Sequence, residues 1–293
     1  VPVVAVDADL TGSTTTKKFA AAAPENADKL FNCGIAEQNM IDVAAGLALT
    51  GHVAYTGSFA VFGTGRAYDQ IRNTVCYSNL DVKICPTHAG VSVGPDGGSH
   101  QMLEDVSLMR GLPNMRVLVP ADYAAARAAI KLAAKTPGPV YVRMGRAAVP
   151  CVYDDDVELE LGRAYVLREG SDATVVACGV EIREALAAAD MLAEEGVSIE
   201  VIDAFSVKPL DEDTITASVA KTGCCVVAEE HSVHGGLGSA VAECLARKNP
   251  APCEFVGVQD RFGKSGEFEE LLGYFNLDAA AIVEAVKRAR GRK

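Results

Sequence analysis

One carboxylate stands in an unusually apolar stretch of the sequence. From Ile35 to Leu49 the only ionisable residues are Glu37 and Asp42. Apolar side chains recur there at helical spacing, and Gly51 ends the run, which predicts an amphipathic helix with Glu37 in its first turn. An apolar environment makes the acid form of a carboxyl group accessible. Glu37 is therefore a candidate proton-transfer group, and capping of its own helix N terminus is the structural alternative.

A second set of candidate groups lies in a glycine-rich stretch from Gly90 to His100. This stretch contains Asp96, Ser99 and His100, and His88 precedes it. Glycines let the backbone approach a ligand closely, and imidazoles titrate near neutral pH. The stretch therefore suits polar recognition and proton transfer. A lone loop histidine is usually solvated and idle, so the interpretation depends on two histidines at this spacing.

Alternating strands and helices would position these groups. We predict strands at residues 3–6, 52–55, 81–84, 114–120 and 140–146, and helices at 66–77, 102–110 and 122–135. In α/β folds, ligands bind at the carboxyl ends of parallel strands. Asp9 and Ser13 follow the first of these strands, and Arg143 and Arg146 end the last. Arg143 could equally be an ion-paired core residue.

The like-charged run Asp154–Asp156 interrupts this pattern. We place a linker at residues 151–160, between a first domain of residues 1–150 and a second domain of residues 161–293. Strands and helices alternate again in the second domain, so the predicted fold class is α/β with two parallel-sheet domains. A chain of 293 residues is long enough for two cores.

Composition excludes several classes of protein. The net charge of −12 argues against a nucleic-acid partner, because phosphate backbones attract clustered Lys and Arg. No apolar run is long enough to cross a bilayer, and the chain opens without a basic, signal-like leader, so we expect a cytoplasmic protein with no membrane partner. The nine cysteines form no C-x-x-C pair, which indicates neither a disulfide framework nor a zinc site.

Four blocks of sequence closely resemble the C-terminal half of transketolases. In order they are GIAEQNM at residues 34–40, GSFAVF at 57–62, THAG at 87–90 and GPDGGSHQ at 94–101. Their order and spacing match as well, and the resemblance runs from about Val4 to the C terminus. It implies a transketolase pyrimidine-binding domain followed by a C-terminal transketolase domain, with thiamine diphosphate as the cofactor.

The resemblance implies cofactor roles for four residues. Glu37 would share a proton with the pyrimidine ring and would be catalytic. Phe59 and Phe62 would enclose that ring, although aromatic residues three apart usually pack in a core. Asp9 would lie beside the cofactor.

The resemblance also implies substrate roles. His100, as a catalytic residue, and His88 would exchange hydrogen bonds and protons with sugar hydroxyls, and Asp96 would read hydroxyl configuration. Ser13, His88 and Arg146 would bind the distal phosphate. The guanidinium of Arg146 suits this role, because it offers paired donors in one plane.

The diphosphate and metal site of the family uses a Gly-Asp-Gly motif that does not occur in this sequence. The resemblance therefore implies the C-terminal subunit of a split transketolase of the EC 2.2.1.1 type. An N-terminal partner subunit would hold the diphosphate and Mg²⁺ or Ca²⁺, and this chain would bind no metal. The expected assembly is an α2β2 heterotetramer. It would transfer a two-carbon ketol unit from a ketose phosphate to an aldose phosphate, with the pentose phosphate pathway as the default setting.

Three alternatives remain open. A decarboxylating synthase similar to deoxyxylulose-phosphate synthase shares the stretch Arg66–Gln70, but such enzymes are normally one long chain. A β-subunit of an oxo-acid dehydrogenase fits the residues 96–101 less well. The third alternative is a catalytically silent interaction subunit. The glycines at 235–238 also invite a phosphate-loop interpretation, but they lack the P-loop lysine.

Overall fold

Hydrophobic strands bounded by polar turns pair into two sheets in the computed structural model, which describes residues 2–293; Val1, the first residue of the predicted first domain, lies outside them. The strands are β1 (Val3–Asp7), β2 (Leu30–Asn32), β3 (Val53–Gly57), β4 (Val82–Ile84), β5 (Arg116–Leu118), β6 (Val140–Val142), β7 (Tyr165–Arg168), β8 (Ala173–Ala177), β9 (Ile199–Asp203), β10 (Ser206–Lys208), β11 (Cys225–Ser232) and β12 (Cys253–Val258).

Helices connect the strands. They are α1 (Lys17–Ala21), α2 (Glu37–Leu49), α3 (Tyr68–Gln70), α4 (Asp105–Arg110), α5 (Tyr123–Lys135), α6 (Glu181–Glu194), α7 (Glu212–Thr222), α8 (Leu237–Lys248), α9 (Phe268–Phe275) and α10 (Ala279–Arg290). Among residues 2–293, none of these helices combines the length and the apolar character needed to cross a membrane.

The first sheet has the strand order β10-β5-β6-β4-β3-β1-β2. Its strands from β1 to β6 pair in parallel, whereas β10 pairs antiparallel with β5. The second sheet has the order β12-β11-β8-β9-β7 and is parallel except for β7. The predicted α/β class with two largely parallel sheets is confirmed. The antiparallel edge strands β7 and β10 were not predicted.

Glu37 lies in the first turn of its helix, as the spacing predicted, and is the first residue of that helix. The predicted helix 66–77 is less regular. It begins earlier, with π-helical turns at Val61–Arg66 and Ile71–Cys76 on either side of α3. Gly63 and Gly65 lie in the first of these turns, and glycine lowers the stability of a regular helix. π-Helical turns of this kind are frequent at functional sites.

One hydrophobic core runs from the first sheet into the second. The same buried cluster contains Ile41 of α2 and Val117 of β5 together with Ile202 of β9 and Val227 of β11. Burying apolar surface is the main favourable term in folding. The two sheets therefore stabilise each other.

A buried acid at the end of β9 makes stability depend on pH. The Oδ2 atom of Asp203 accepts a hydrogen bond from the hydroxyl of Tyr153 at 2.7 Å, while its Oδ1 atom has no hydrogen-bond partner among residues 2–293. Burial raises the pKa of Asp203 from 3.8 to about 7; the bond from Tyr153 opposes this and the charge of Asp122 adds to it. Since the folded pKa lies above the unfolded one, the stabilisation is complete below pH ~4 and is lost as the pH rises to about 7.

Asp203→Asn is therefore expected to flatten the pH dependence of the free energy of unfolding. Between pH 4 and 7 the wild-type chain should lose a few kcal/mol more than the variant. Urea unfolding at several pH values measures this difference. Asp213→Asn, at an almost fully exposed aspartate, is the control. Equal slopes in Asp203→Asn and wild type would contradict the assignment.

Candidate active site

The predicted site residues follow the carboxyl ends of strands in the first sheet. Asp9 and Ser13 follow β1, Glu37 follows β2, Phe59 and Phe62 follow β3, His88, Asp96 and His100 follow β4, and Arg146 follows β6. Parallel strands direct their carboxyl ends to one edge, where α/β folds bind ligands. The fold thus collects these residues from distant parts of the chain.

Glu37 is buried, with 2% of its surface exposed. Both of its carboxylate oxygens accept hydrogen bonds from Nη1 of Arg66 at 3.1 Å. Among residues 2–293, these are the hydrogen bonds that reach the Glu37 carboxylate. The guanidinium of Arg66 also lies 4.6 Å from the ring centroid of Phe62. Within the described residues, the Glu37 carboxylate thus pairs with an arginine that packs on Phe62 and accepts no hydrogen bond from the N terminus of its own helix.

Arg66 was not predicted as a site residue. The sequence does contain a signal for it. A buried carboxylate needs a cationic or hydrogen-bonding partner, and Arg66 is the only Lys or Arg between residues 31 and 71.

Aromatic rings connect the Glu37–Arg66 pair to the two histidines. The Phe59 and Phe62 centroids lie 6.2 Å apart with an interplanar angle of 16°. His88 stacks on Phe59 at 3.8 Å, and His100 meets the Phe62 ring edge to face at 5.4 Å. The structure therefore brings Glu37, Phe59, Phe62, His88 and His100 into one contiguous cluster.

The two histidines are held by neighbouring hydroxyls. Nδ1 of His88 lies 2.8 Å from the hydroxyl of Thr87, and Nδ1 of His100 lies 2.9 Å from that of Ser99. Burial, and after it the charge of Arg146, lowers the pKa of His88 to about 4. His88 is therefore uncharged at neutral pH and offers hydrogen bonds, not positive charge.

The charged groups of the site lie near its surface. Arg146 is exposed, and its Nη1 donates to the carbonyl of Val93 at 3.2 Å. Asp96 is exposed and ends the 3-10 segment Val91–Asp96. Asp96 raises the pKa of His88 whereas Arg146 lowers it, so both charges act on the same imidazole. Arg146 is thus placed to supply positive charge to an anionic ligand beside the histidines.

Asp9 and Ser13 lie at the same edge but apart from this cluster. Both are exposed, and Oδ1 of Asp9 accepts a hydrogen bond from the Asn32 side chain at 3.2 Å. Within the part of the chain that the structure describes, neither residue has a hydrogen bond or ring contact with the cluster. Their predicted roles stay predictions.

The residues present fit the ring end of thiamine diphosphate. A buried carboxyl that is connected through Arg66 to two near-parallel aromatic rings suits a nitrogen heterocycle, because it combines one hydrogen-bonding group with apolar ring faces. For the metal, the structure offers no group of three or more His, Cys, Asp or Glu side chains able to hold an ion among residues 2–293.

The glycine-rich stretch 235–238 binds the carboxylate of Glu229 from the same chain. Oε2 of Glu229 accepts from the N–H of Leu237 at 2.7 Å, and Oε1 accepts from that of Gly238 at 2.8 Å. A Cβ atom on Gly236 would overlap the Glu229 carboxylate. The α8 N terminus therefore already binds a carboxylate, which explains the glycines without a phosphate.

Arg143 is the ion-paired core residue that the sequence allowed. It is buried, its Nε donates to Oδ2 of Asp105 at 2.7 Å, and its Nη2 donates to the carbonyl of Glu230 at 2.8 Å. Burial raises the pKa of the Glu230 carboxyl to about 7, and Arg143 opposes that shift. Arg143 thus links the first sheet to β11.

Comparison with known proteins matches both halves of the chain. The family model of the transketolase pyrimidine-binding domain matches residues 1–152, and that of the transketolase C-terminal domain matches residues 162–282. A transketolase C-terminal section from Methanocaldococcus jannaschii is 45% identical over 97% of this chain and 89% of its own length. A 6-deoxy-6-sulfo-D-fructose transketolase subunit from Clostridium sp. strain MSTE9 is 43% identical over 99% of this chain and 89% of its own length.

A solved structure is also similar. It is that of a split-gene transketolase in an inactive β4 tetramer, with a TM-score of 0.89 and 49% sequence identity. The alignment covers 99% of this chain and 92% of the solved one.

Proposed function

Because this chain belongs to the transketolase family, as a subunit of the split type, we propose that it transfers a two-carbon ketol unit from a ketose phosphate to an aldose phosphate together with an N-terminal partner chain. The observation that carries the proposal is the contiguous cluster from Glu37 through Phe62 to His100. This cluster combines a buried carboxyl, stacked aromatic rings and imidazoles, which are the groups that the reaction requires.

Thiamine diphosphate, when bound, supplies the carbanion chemistry that breaks and forms the carbon–carbon bond. Glu37 would hold a proton at a nitrogen of the pyrimidine ring. Phe59 and Phe62 would pack against that ring and exclude water, and Asp9 would lie beside the cofactor. Arg66 fixes the orientation of the Glu37 carboxylate.

The substrate would bind across the histidines. His88 is uncharged at neutral pH, so it would hydrogen-bond to the sugar and its phosphate, and Arg146 would provide the positive charge. Nδ1 of His100 is engaged with Ser99, so its Nε2 atom is the one that would donate a proton to a sugar hydroxyl or accept one from it. Asp96 would select hydroxyl configuration, and Ser13 would add a hydrogen bond to the phosphate.

A partner chain would complete the enzyme. Three comparisons support this proposal: one relative is a C-terminal section, another is a subunit, and the solved neighbour comes from a split gene. The partner would hold the diphosphate and Mg²⁺ or Ca²⁺ in an α2β2 assembly. The Clostridium relative is named for a sulfonated sugar, so a specialised ketose is a candidate substrate beside the ordinary pentose phosphates.

Reconstitution tests the proposal. The isolated chain is expected to show almost no ketol transfer, and an equimolar mixture with the N-terminal partner, thiamine diphosphate and Mg²⁺ is expected to be active. A panel of ketose and aldose phosphates identifies the substrates, and the partner alone is the control. Full activity in the isolated chain would contradict a shared site. Release of carbon dioxide from pyruvate would indicate the decarboxylating synthase instead.

A further inference from the structure

The loop that carries the predicted substrate residues loses much conformational entropy when it becomes ordered. We call residues 90–101 the His100 loop. Gly90, Gly94 and Gly97 all have positive φ angles near 80°, and ordering glycine costs more conformational entropy than ordering any other residue. Contacts from outside the loop must therefore offset this cost and select one conformation.

The first outside contact comes from Glu230 of β11. One carboxylate oxygen of this buried residue accepts the backbone N–H of Ser92. A Cβ atom on Gly90 would overlap the same carboxylate, so only glycine fits there. Nη1 of Arg143 lies 3.9 Å from the other oxygen of Glu230. Glu230 thus fixes the start of the His100 loop from the second sheet.

The second outside contact comes from the turn at residues 263–266. Nε2 of Gln101, a buried side chain, donates to the carbonyl of Lys264 at 2.9 Å and to that of Val91 at 3.1 Å. The hydroxyl of Ser265 donates to the carbonyl of Pro95 at 2.6 Å. The turn therefore fixes the middle and the end of the His100 loop.

The turn and the His100 loop approach each other through glycines. A Cβ atom on Gly98 would lie 2.8 Å from the carbonyl oxygen of Gly263. A Cβ atom on Gly263 would overlap Oε1 of Gln101. Contacts under 3.0 Å from a Cβ atom force one partner to move. A side chain at position 263 would therefore displace Gln101 directly.

We propose that the C-terminal half of the chain, residues 161–293, holds the His100 loop in the conformation that binds the sugar phosphate. Glu230 acts on the start of the loop, and the carbonyl of Lys264 acts on its end through Gln101, so Glu230 and Gln101 are positioning residues. The inference rests on the proposed function. Asp96 and His100 lie on a span that is fixed at residues 90–92 and again at 95–101. Neither positioning residue needs to touch the substrate.

Gly263→Ala tests the inference, because the substitution lies in an intermediate-exposure turn outside both sheets. In the assembled enzyme, KM for the sugar phosphate should rise about 10-fold, since a displacement of about 1 Å is costly at a reacting site. The Kd of thiamine diphosphate should stay unchanged. In the isolated chain, peptides covering residues 90–101 should exchange amide hydrogen for deuterium about 10-fold faster.

Gly273→Ala is the matched control. It lies in α9, where a Cβ atom would meet only Asp278 Oδ2 at 3.8 Å, so KM and exchange should match those of wild type.

A second pair of variants tests the contact between Glu230 and the Ser92 N–H. Glu230→Gln keeps an acceptor for the Ser92 N–H and should preserve KM, whereas Glu230→Ala should raise it.

In an active wild-type pair, two results with the variants would overturn the inference while leaving the proposed function in place. One is a wild-type KM in Gly263→Ala, whatever its exchange rate. The other is an equal change in Gly273→Ala, because the effect would then not be specific to the contact with Gln101. A wild-type pair that performs no ketol transfer would overturn the proposed function, and the substrate role of the C-terminal half with it. The exchange measurement would still decide whether that half holds the loop.

Discussion

Glu37→Gln is expected to lower the turnover of the assembled enzyme by about 10³-fold, within the range that positioned proton transfer contributes. The amide fills the same buried volume and still accepts a hydrogen bond from Arg66, but it carries no proton to share with the cofactor ring. Arg66 is half exposed, so water can solvate the guanidinium when its anionic partner is gone. The fold should therefore survive.

Steady-state ketol transfer measures this effect, and the thermal melting temperature checks the fold. Asp42→Asn is the control, because Asp42 is the other acid of α2 and is exposed. It should leave turnover and melting unchanged. Calorimetric titration with thiamine diphosphate separates lost binding from lost chemistry. Near-normal turnover in Glu37→Gln would remove the proposed role.

His100→Ala is expected to lower kcat/KM for the sugar phosphate by about 10²-fold. The imidazole packs edge to face with the Phe62 ring and is oriented by Ser99, so its loss removes a positioned proton donor and acceptor. Ser99→Ala should have a smaller effect in the same direction, because the ring remains but loses its orienting hydrogen bond.

Kinetics with several aldose acceptors measure the His100 effect. His234→Ala is the matched control, since His234 is exposed and lies beside the internally capped glycine turn of α8. Unchanged kcat/KM in His100→Ala would exclude the imidazole from the reaction. An equal loss in His234→Ala would point to a general effect on assembly.

The sequence predicted those elements whose structure is decided by residues within the same segment. The apolar spacing after Ile35 placed Glu37 in the first turn of α2, because helical periodicity and Gly51 act within the segment itself. Five of the seven strands of the first sheet, β1 and β3 to β6, were also predicted, with ends too long by a few residues at β5 and β6. The two edge strands β2 and β10 were missed, because three residues show no period by themselves and neither strand lies in a longer apolar run of the kind that contains β5.

Long-range partners could not be predicted from the same patterns. The apolar run from Gly223 to Ala228 predicts a strand that ends at Ala228, but β11 continues to Ser232 and carries Glu229 and Glu230 into the interior. Two consecutive acids are typical of a solvated turn. Their buried position depends on the N terminus of α8 and on Ser92, which is 138 residues away from Glu230.

The antiparallel pairing of β10 with β5 bears on how such a chain can evolve. A polypeptide that ended near residue 160 would present the backbone of β5 as a bare edge, and bare edges recruit strands from other molecules. Exchange of either half alone would produce a protein prone to self-association.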